Sequence, residues 1–304
     1  MTNNKIAVVT PVFNGESHIR QCYRCLQQQT YQHFEWVIIN DGSSDSTQAI
    51  VEQIMKNHPI ESFQITLINQ DNQGAAKARE NGIKTSTATY ILTLDCDDII
   101  SVDTIKNAIY KMESTPDYVE IVTFPLCYVK KSGRKVEFEF KVDSWPVEGT
   151  KAFALCLGYW GLHGMFLAKK NLWIEAFEYF DDISDDNIND DENVTRCLFL
   201  LSKYIEICDG EYLYCFNESS TTNSVNQKYY KLCYTAISLS KMVSGFGFRK
   251  SDIGELLNLH LKVNLLKVSK RFLRYFFHYK NKLEWLKAIM LLLVYIFKIR
   301  LLKW

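Results

Sequence analysis

At 304 residues the chain is long enough for two domains of roughly 150 residues each, or for one large domain. Hydrophobic residues at 47% and charged residues at 23% are globular values, which exclude a disordered chain, a collagen-like repeat and a disulfide scaffold. Lys plus Arg and Asp plus Glu each number 35, so no overall basic charge marks a nucleic-acid coat, but residues 261–304 hold eleven Lys/Arg and one Glu, net +10, and leave −10 for residues 1–260.

Taken in chain order, Ile6–Val12 reads as a first strand, Ser17–Gln29 as a helix and Phe34–Ile39 as a second strand. Asp45–Asn57 reads as a helix opened by a capping box in which Asp45 caps and Gln48 reaches back. Gln64–Ile68, a helix over Gly74–Lys84 and a strand over Tyr90–Leu94 continue the alternation, which predicts an α/β open sheet, largely parallel and sandwiched by helices. After Asp98 come a helix from about Val102 to Glu113 and strands over Val119–Phe124, Leu126–Lys130 and Lys135–Phe140, the last two a hairpin about Ser132 and Gly133. Trp145, Trp160 and Trp173 precede or enter an acidic stretch from Glu175 to Glu192, and from Lys228 the pattern is helical and increasingly basic. Nine scattered cysteines, several in apolar runs (Cys127, Cys156, Cys197), predict reduced buried thiols and a reducing cytosol. Met1–Lys5 runs straight into the first strand without a secretion signal, so the expected location is cytoplasmic.

Strand ends carry the polar chemistry. Asn14, Gly15 and Glu16 follow the first strand, Asp41, Gly42 and Ser43 the second, and Asp95 to Asp98 the fourth. In an open α/β sheet ligands bind at the carboxyl ends of strands, so a polar ligand is expected there. No G-x-G-x-x-G follows the first strand and no G-x-x-x-x-G-K-[ST] loop occurs, which argues against a dinucleotide oxidoreductase and a P-loop NTPase. A metal is another way to hold phosphate. Strand alternation puts Asp95 and Asp97 on one side and Asp98 on the other, and carboxylates at a strand end can hold a hard divalent cation that bridges a diphosphate; the competing reading has Asp98 cap the next helix and the others solvated in a loop. Two other clusters carry less. Cys22-x-x-Cys25 with His18 and His33 falls in a predicted helix and lacks a second cysteine pair of finger spacing. Asp181, Asp182, Asp185 and Asp186 lack the register of a calcium loop and read as a solvated acidic surface.

Four strings, VVTPVFNGESHI, WVIINDGSSDST, NQGAAKARENGI and YILTLDCDD, stand in order over residues 6–98. Together they resemble the N-terminal half of glycosyltransferase family 2, nucleotide-sugar-dependent enzymes of the GT-A fold. The resemblance implies an inverting glycosyltransferase that moves one hexosyl or N-acetylhexosaminyl group from a nucleotide-diphospho-sugar, UDP-linked by expectation, to a glycan hydroxyl. The acceptor it points to is lipid-linked, in O-antigen or capsule synthesis. It implies a nucleotide pocket at Pro11, Val12, Asn14 and Glu16, with Glu16 near the ribose and Asp41 on the base. Asn72, Gly74 and Arg79 line the donor side with Asp95 and Cys96, and Asp95 and Asp97 correspond to a D-x-D signature that takes Mn²⁺ or Mg²⁺, Asp97 being the more direct ligand. Family members place a catalytic base on an acidic pair near a helix start. Here that is Asp191, with Asp190 and Glu192 left open because acids at a helix N-terminus also act as electrostatic caps. Trp160 and His163, in the Gly161–Gly164 turn, are candidate acceptor contacts, since aromatic faces stack on sugar rings; core packing for Trp160 and a satisfied loop imidazole for His163 are the competing readings.

The expected organisation is a nucleotide-sugar half over 1–98, an acceptor half of the same domain over 99–225 and a basic helical region over 226–304. Within the last, Leu261, Leu265, Val268, Phe272 and Phe276 recur on one helical face, with Lys267, Lys270, Arg271 and Arg274 on the other. The apolar run Ala288–Phe297 is too short to span a bilayer. The amphipathic face predicts peripheral contact with the cytoplasmic side of a membrane, against the alternative of ordinary packing on protein. A catalytically silent nucleotide-sugar-binding scaffold of the same fold is the alternative function. A sugar-phosphate nucleotidyltransferase is disfavoured by Phe13-Asn14-Gly15-Glu16 where such enzymes carry a glycine-rich turn and a basic residue.

Overall fold

The structure, a computed structural model, describes residues 6–59, 62–180, 190–217, 226–246 and 250–301, so Asp181 to Asp186 and Asn189 lie outside the described residues, as does the side chain of Asp190. The first strand β1 (Ile6–Val12) is buried along its whole length. It is followed by α1 (Ile19–Gln27), β2 (Phe34–Asp41), α2 (Thr47–Asn57), β3 (Gln64–Gln70), α3 (Ala75–Thr85) and β4 (Tyr90–Thr93). These four strands are parallel in the order β3-β2-β1-β4. Helices cover both faces, which is why the strands read as near-continuous apolar runs rather than alternating ones. Strand order reverses at β1: β2 and β3 extend to one side, β4 to the other. Pairing of β4 with β1 stops at Val9, so beyond that point the two chains part and leave a crevice at their carboxyl ends. Pro11 sits where that pairing has ended, a position that tolerates its missing N–H.

The chain continues through β5 (Ile99–Ile100), α4 (Thr104–Ser114), β6 (Val119–Thr123), β7 (Leu126–Val129), β8 (Lys135–Glu137), β9 (Val147–Glu148), α5 (Gly149–Leu155), β10 (Phe166–Lys169), α6 (Lys170–Glu178) and α7 (Asp190–Leu201), then β11 (Tyr204–Ile207) and β12 (Tyr212–Cys215). β10 inserts antiparallel between β4 and β6, giving one sheet in the order β3-β2-β1-β4-β10-β6-β11-β9. A second sheet, β5-β12-β7-β8, holds the expected hairpin, with β7 and β8 antiparallel about Gly133. Residues before and after Asp98 therefore share one sheet and two cores, one on each of its faces.

Two expectations need correction. The capping box at α2 is absent: Asp45 accepts from Thr47 N at 3.0 Å, but Gln48 donates forward to Glu52 at 2.8 Å instead of reaching back. The other concerns the C-terminal helices α8 (Leu232–Gly245), α9 (Lys250–Arg274) and α10 (Lys282–Leu301). The apolar face of α9 is not free. Leu261, Val268 and Phe272 are buried against α8 and against Trp285, Ala288 and Leu292 of α10, with Leu265 packed beside them. Two long helices with complementary apolar stripes bury them on each other before either meets another surface. Among the described residues no helix is long and apolar enough to cross a membrane.

Candidate active site

The crevice between β1 and β4 is floored by a turn bonded to the loop after β2. Asn14, at φ 51°, donates its backbone N–H to Ser43 Oγ at 2.9 Å and accepts from Ser44 N at 2.8 Å. Gly15 N donates to Thr47 Oγ1 at 2.8 Å, Glu16 N to Asp45 Oδ2 at 3.1 Å, and Glu16 Oε2 accepts from Ser46 N at 2.9 Å. Pro11 and Val12 are buried beneath this shelf. Asp41, also buried, accepts from Gln70 Nε2 at 2.8 Å and Gln73 N at 2.8 Å on one oxygen and from Gly74 N at 2.9 Å on the other. Its first role in this fold is thus to tie the loop after β3 to the end of β2. Gly42 makes that approach possible: its φ is +73°, and a Cβ there would stand 2.8 Å from Asn72 N. Asn72 itself is exposed at the rim, and Gly74, at φ +85°, opens α3.

On the other side of the crevice the four-residue acidic turn divides its labour. Asp95 Oδ1 pairs with Arg79 Nη2 at 2.6 Å. Asp97 Oδ2 accepts from Asn217 Nδ2 at 2.8 Å. Asp98 is buried, accepting from Tyr212 Oη at 2.7 Å and Cys215 N at 2.7 Å; burial, reinforced by the charges of Asp95 and Asp97, raises its carboxyl above the usual range. Cys96 packs against the shelf near Gly15, and burial first, then the neighbouring carboxylates, raise its thiol so that it stays protonated.

Arg79 is the joint of the site. Its Nη1 reaches Asp191 Oδ2 at 3.2 Å, so one guanidinium from α3 connects the end of β4 to the first turn of α7. Burial works against its charge, but Asp95 and Asp191 more than compensate and raise its pKa. Asp191 remains about half exposed, at 48% of its side chain. Glu192, one residue on, is directed elsewhere: its Oε2 accepts from Arg196 Nη1 at 3.1 Å, while Arg196 Nε donates to Cys156 O at 3.0 Å. The Arg196 guanidinium also lies 4.1 Å from the centre of the Trp160 ring. One face of Trp160 is therefore covered by this cation.

Below Arg79, Asp95, Asp191 and Trp160 opens a cavity of about 410 Å³, lined deeper by Leu126, Phe138, Met165, Trp173 and Phe177. His163 lines it too, but both ring nitrogens are engaged, Nε2 with Phe124 O at 2.8 Å and Nδ1 with Met165 N at 3.2 Å. Burial pushes its imidazole down to about 4. As a neutral imidazole with both nitrogens engaged it lines the wall without offering a polar handle, as the satisfied-imidazole reading has it.

Carboxylates of the acidic turn fit a divalent cation only in a restricted sense. Among the described residues no three His, Cys, Asp or Glu side chains are arranged as a metal cluster, and Cys22 and Cys25 are buried core thiols. Asp98 is turned into the core and Asp95 is held by Arg79, whereas Asp97 accepts from the neutral amide of Asn217 and so keeps its charge for a cation. One or two carboxylates plus substrate phosphates is the donor set by which Mg²⁺ is commonly held. Residues not foreseen also build this site: Tyr128, Tyr212 and Tyr214 come from the second sheet, hinted at only by the aromatic alternation of β7 and β12, and Asn217 follows just after β12.

Comparison with known proteins bears on this geometry. The model of glycosyl transferase family 2 matches residues 7–167, more than half of the chain. Glycosyltransferase GlyA of Streptococcus pneumoniae is 32% identical over 111 residues, 36% of this chain but only 15% of that protein. Glycosyltransferase GlyG of the same organism is 24% identical over 217 residues, 69% of this chain and 70% of GlyG. A crystal structure of S. aureus TarS residues 1–349 in complex with UDP-GlcNAc superposes with a TM-score of 0.65 at 18% identity, covering 93% of this chain and 79% of that one; at such identity the likeness is one of fold.

Proposed function

The chain belongs to glycosyl transferase family 2, with the GT-A fold, and we propose from this that it transfers one sugar, with inversion, from a nucleotide-diphospho-sugar to a hydroxyl of a glycan acceptor. The observation that carries the reading is the bridge from Asp95 through Arg79 to Asp191 at the mouth of a single cavity. It brings the strand-end acidic turn, suited to a diphosphate, within one side chain of an exposed carboxylate suited to take a proton.

Each group then has a task. The shelf of Asn14 to Glu16 with the Asp41-tethered loop receives the nucleoside, and the diphosphate lies along the acidic turn. Asp97, with Asp95 if Arg79 released it, would hold Mn²⁺ or Mg²⁺, and that cation would supply charge neutralisation for a leaving diphosphate. Asp191 accepts the proton of the acceptor hydroxyl as its oxygen bonds to the anomeric carbon; the electron pair of the breaking C1–O bond leaves with the diphosphate. Arg79 holds Asp191 in place for that step. Glu192 is committed to Arg196, which in turn fixes Trp160, so Glu192 is a wall residue rather than the base. A UDP-linked N-acetylhexosamine is the first donor to try, because the TarS structure of this fold carries UDP-GlcNAc.

The test is a panel of nucleotide-sugars assayed for nucleotide release, with binding of each nucleotide measured in parallel. Release from one donor that stops in EDTA is the expected result. A chain that neither binds nor turns over any member of the panel overturns the reading.

A further inference from the structure

The C-terminal helix α10 is apolar on two sides. One stripe, Trp285, Ala288, Leu292, Ile296 and Ile299, is buried against α8 and α9. The opposite stripe, Leu283, Leu286, Met290, Val294 and Phe297, is open, with exposures of 63%, 48%, 57%, 45% and 62%. At the turn between α9 and α10, Phe277 is 90% exposed and Leu273, just before it, 75%. Single exposed hydrophobics need no explanation, but a full helical stripe of them on a helix already packed on its other side marks an interaction surface.

Charge selects what covers it. Lys267, Lys270, Arg274, Lys280, Lys287 and Lys298 are all exposed on the same two helices or the turn between them, and Glu284, paired with Lys287 at 2.8 Å, is the one acid in residues 261–304. A second copy of the chain would bring the same +10 to the contact, and like charge opposes that pairing. An anionic lipid surface takes both features, the apolar stripe among its acyl chains and the cations among its headgroups. We propose that the outward face of α10, with the α9–α10 turn, rests on an anionic lipid surface. The face differs from the one the sequence pattern pointed to, since the amphipathic stripe of α9 is consumed inside the helical unit. α10 lies along the surface rather than through it, because Trp285 is stacked on Tyr279 at 4.0 Å and locked to Phe272, and Ala288 and Leu292 are fully buried.

This unit is also joined to the candidate site. Asn193 of α7 donates to Thr235 O of α8 at 2.9 Å, and His260 of α9 accepts from Gly158 N at 3.1 Å, two residues before Trp160. Docking through α10 thus sets the cavity mouth at a fixed disposition to the lipid, as an acceptor embedded by a lipid tail requires. The surface contact itself does not depend on the transferase reading.

The experiment is co-sedimentation of the full chain with vesicles of phosphatidylcholine alone or mixed with phosphatidylglycerol, at low and high salt, with nucleotide binding and circular dichroism as checks of folding. Expected is binding to the anionic vesicles that weakens with salt, falls at least tenfold in Met290→Glu/Phe297→Glu, falls in Lys280→Gln/Lys287→Gln/Lys298→Gln, and is unchanged in Tyr110→Glu, an exposed position on α4. No binding to anionic vesicles at low salt overturns the proposal, as does unchanged binding in the folded double variant. So does a lipid-free dimer that the double variant dissociates, which would make a second copy the occupant.

Discussion

The two sides of the cavity are made differently. The shelf is local: its hydrogen bonds join residues 29 to 33 positions apart, between the ends of neighbouring parallel strands. The wall is assembled over distance, with Arg79 meeting Asp191 across 112 positions and Asp97 meeting Asn217 across 120. The shelf is polar and hydrogen-bonded within itself, whereas the wall is aromatic and joined by one guanidinium, Arg79, paired with Asp95 and with Asp191. On the proposed function such a division separates a binding surface for a common chemical handle from a surface whose shape sets what is transferred and to what.

Breaking the wall at its most exposed acid should have the largest effect. Asp191→Asn is expected to lower kcat by about 10² to 10⁴, the usual range for a lost general base, with nucleotide affinity within a few-fold of the parent by calorimetry. Glu192→Gln should cost far less; an inactive Glu192→Gln beside an active Asp191→Asn would move the base to Glu192. Next in size is Arg79→Lys. A lysine is a point charge and cannot bridge two carboxylates as a planar fork does, so kcat/KM should drop by roughly 10- to 100-fold although the charge is kept. Equal activity in Arg79→Lys would show that the bridge is incidental.

The shelf is probed by Gly42→Ala. The left-handed backbone and the closeness of Asn72 N predict a loss of about 1–3 kcal/mol in unfolding free energy and a weaker nucleotide affinity, with kcat at saturating donor little changed. A change confined to kcat would mean that the shelf and wall are not separable.

The last effect is a pH dependence of stability. His163 and His260, pushed down by burial to about 4 and about 3, remain neutral in the fold while the unfolded chain takes up protons from about 6.5 downward. Stability from these groups is therefore complete above about pH 6.5 and declines as pH falls towards 4. Thermal melts across that window should show the decline, and His163→Gln should flatten part of it. Melts equally stable at pH 4.5 and 7 would place the imidazoles in contact with water.

Much of the shelf was readable because its chemistry is written in short segments. β1 coincides with its apolar run to the residue, β2 to β4 agree with theirs within two residues at their ends, and Asn14, Asp41, Asp95 and Asp97 all fall where apolar runs stop. The apolar runs themselves dictate this, since strands covered on both faces must be apolar and the first polar residues mark where the chain leaves the sheet. Asp191 was within reach because its acidic neighbours open a helix, but that Arg79 touches it was not, as no local pattern encodes a contact across 112 positions.

What the sequence determined by itself was the α/β alternation, the family and the strand-end carboxylates, all consequences of periodicity and of motifs only a few residues long. The tertiary structure alone decided which partner each carboxylate takes, turning Asp98 into the core to Tyr212, Glu192 to Arg196, Asp97 to Asn217 and the half-exposed Asp191 to Arg79. It also decided which apolar helix faces remain outside: α9 and α10 both carry one facing the other, and the second stripe of α10 is left over, with Leu266 and Leu273 of α9 exposed beside it in the chain's last helical unit. The reason is physical. Burial is settled by competition among all the surfaces a chain can bring together, and a single helix's pattern states what it can bury but not which partner will bury it.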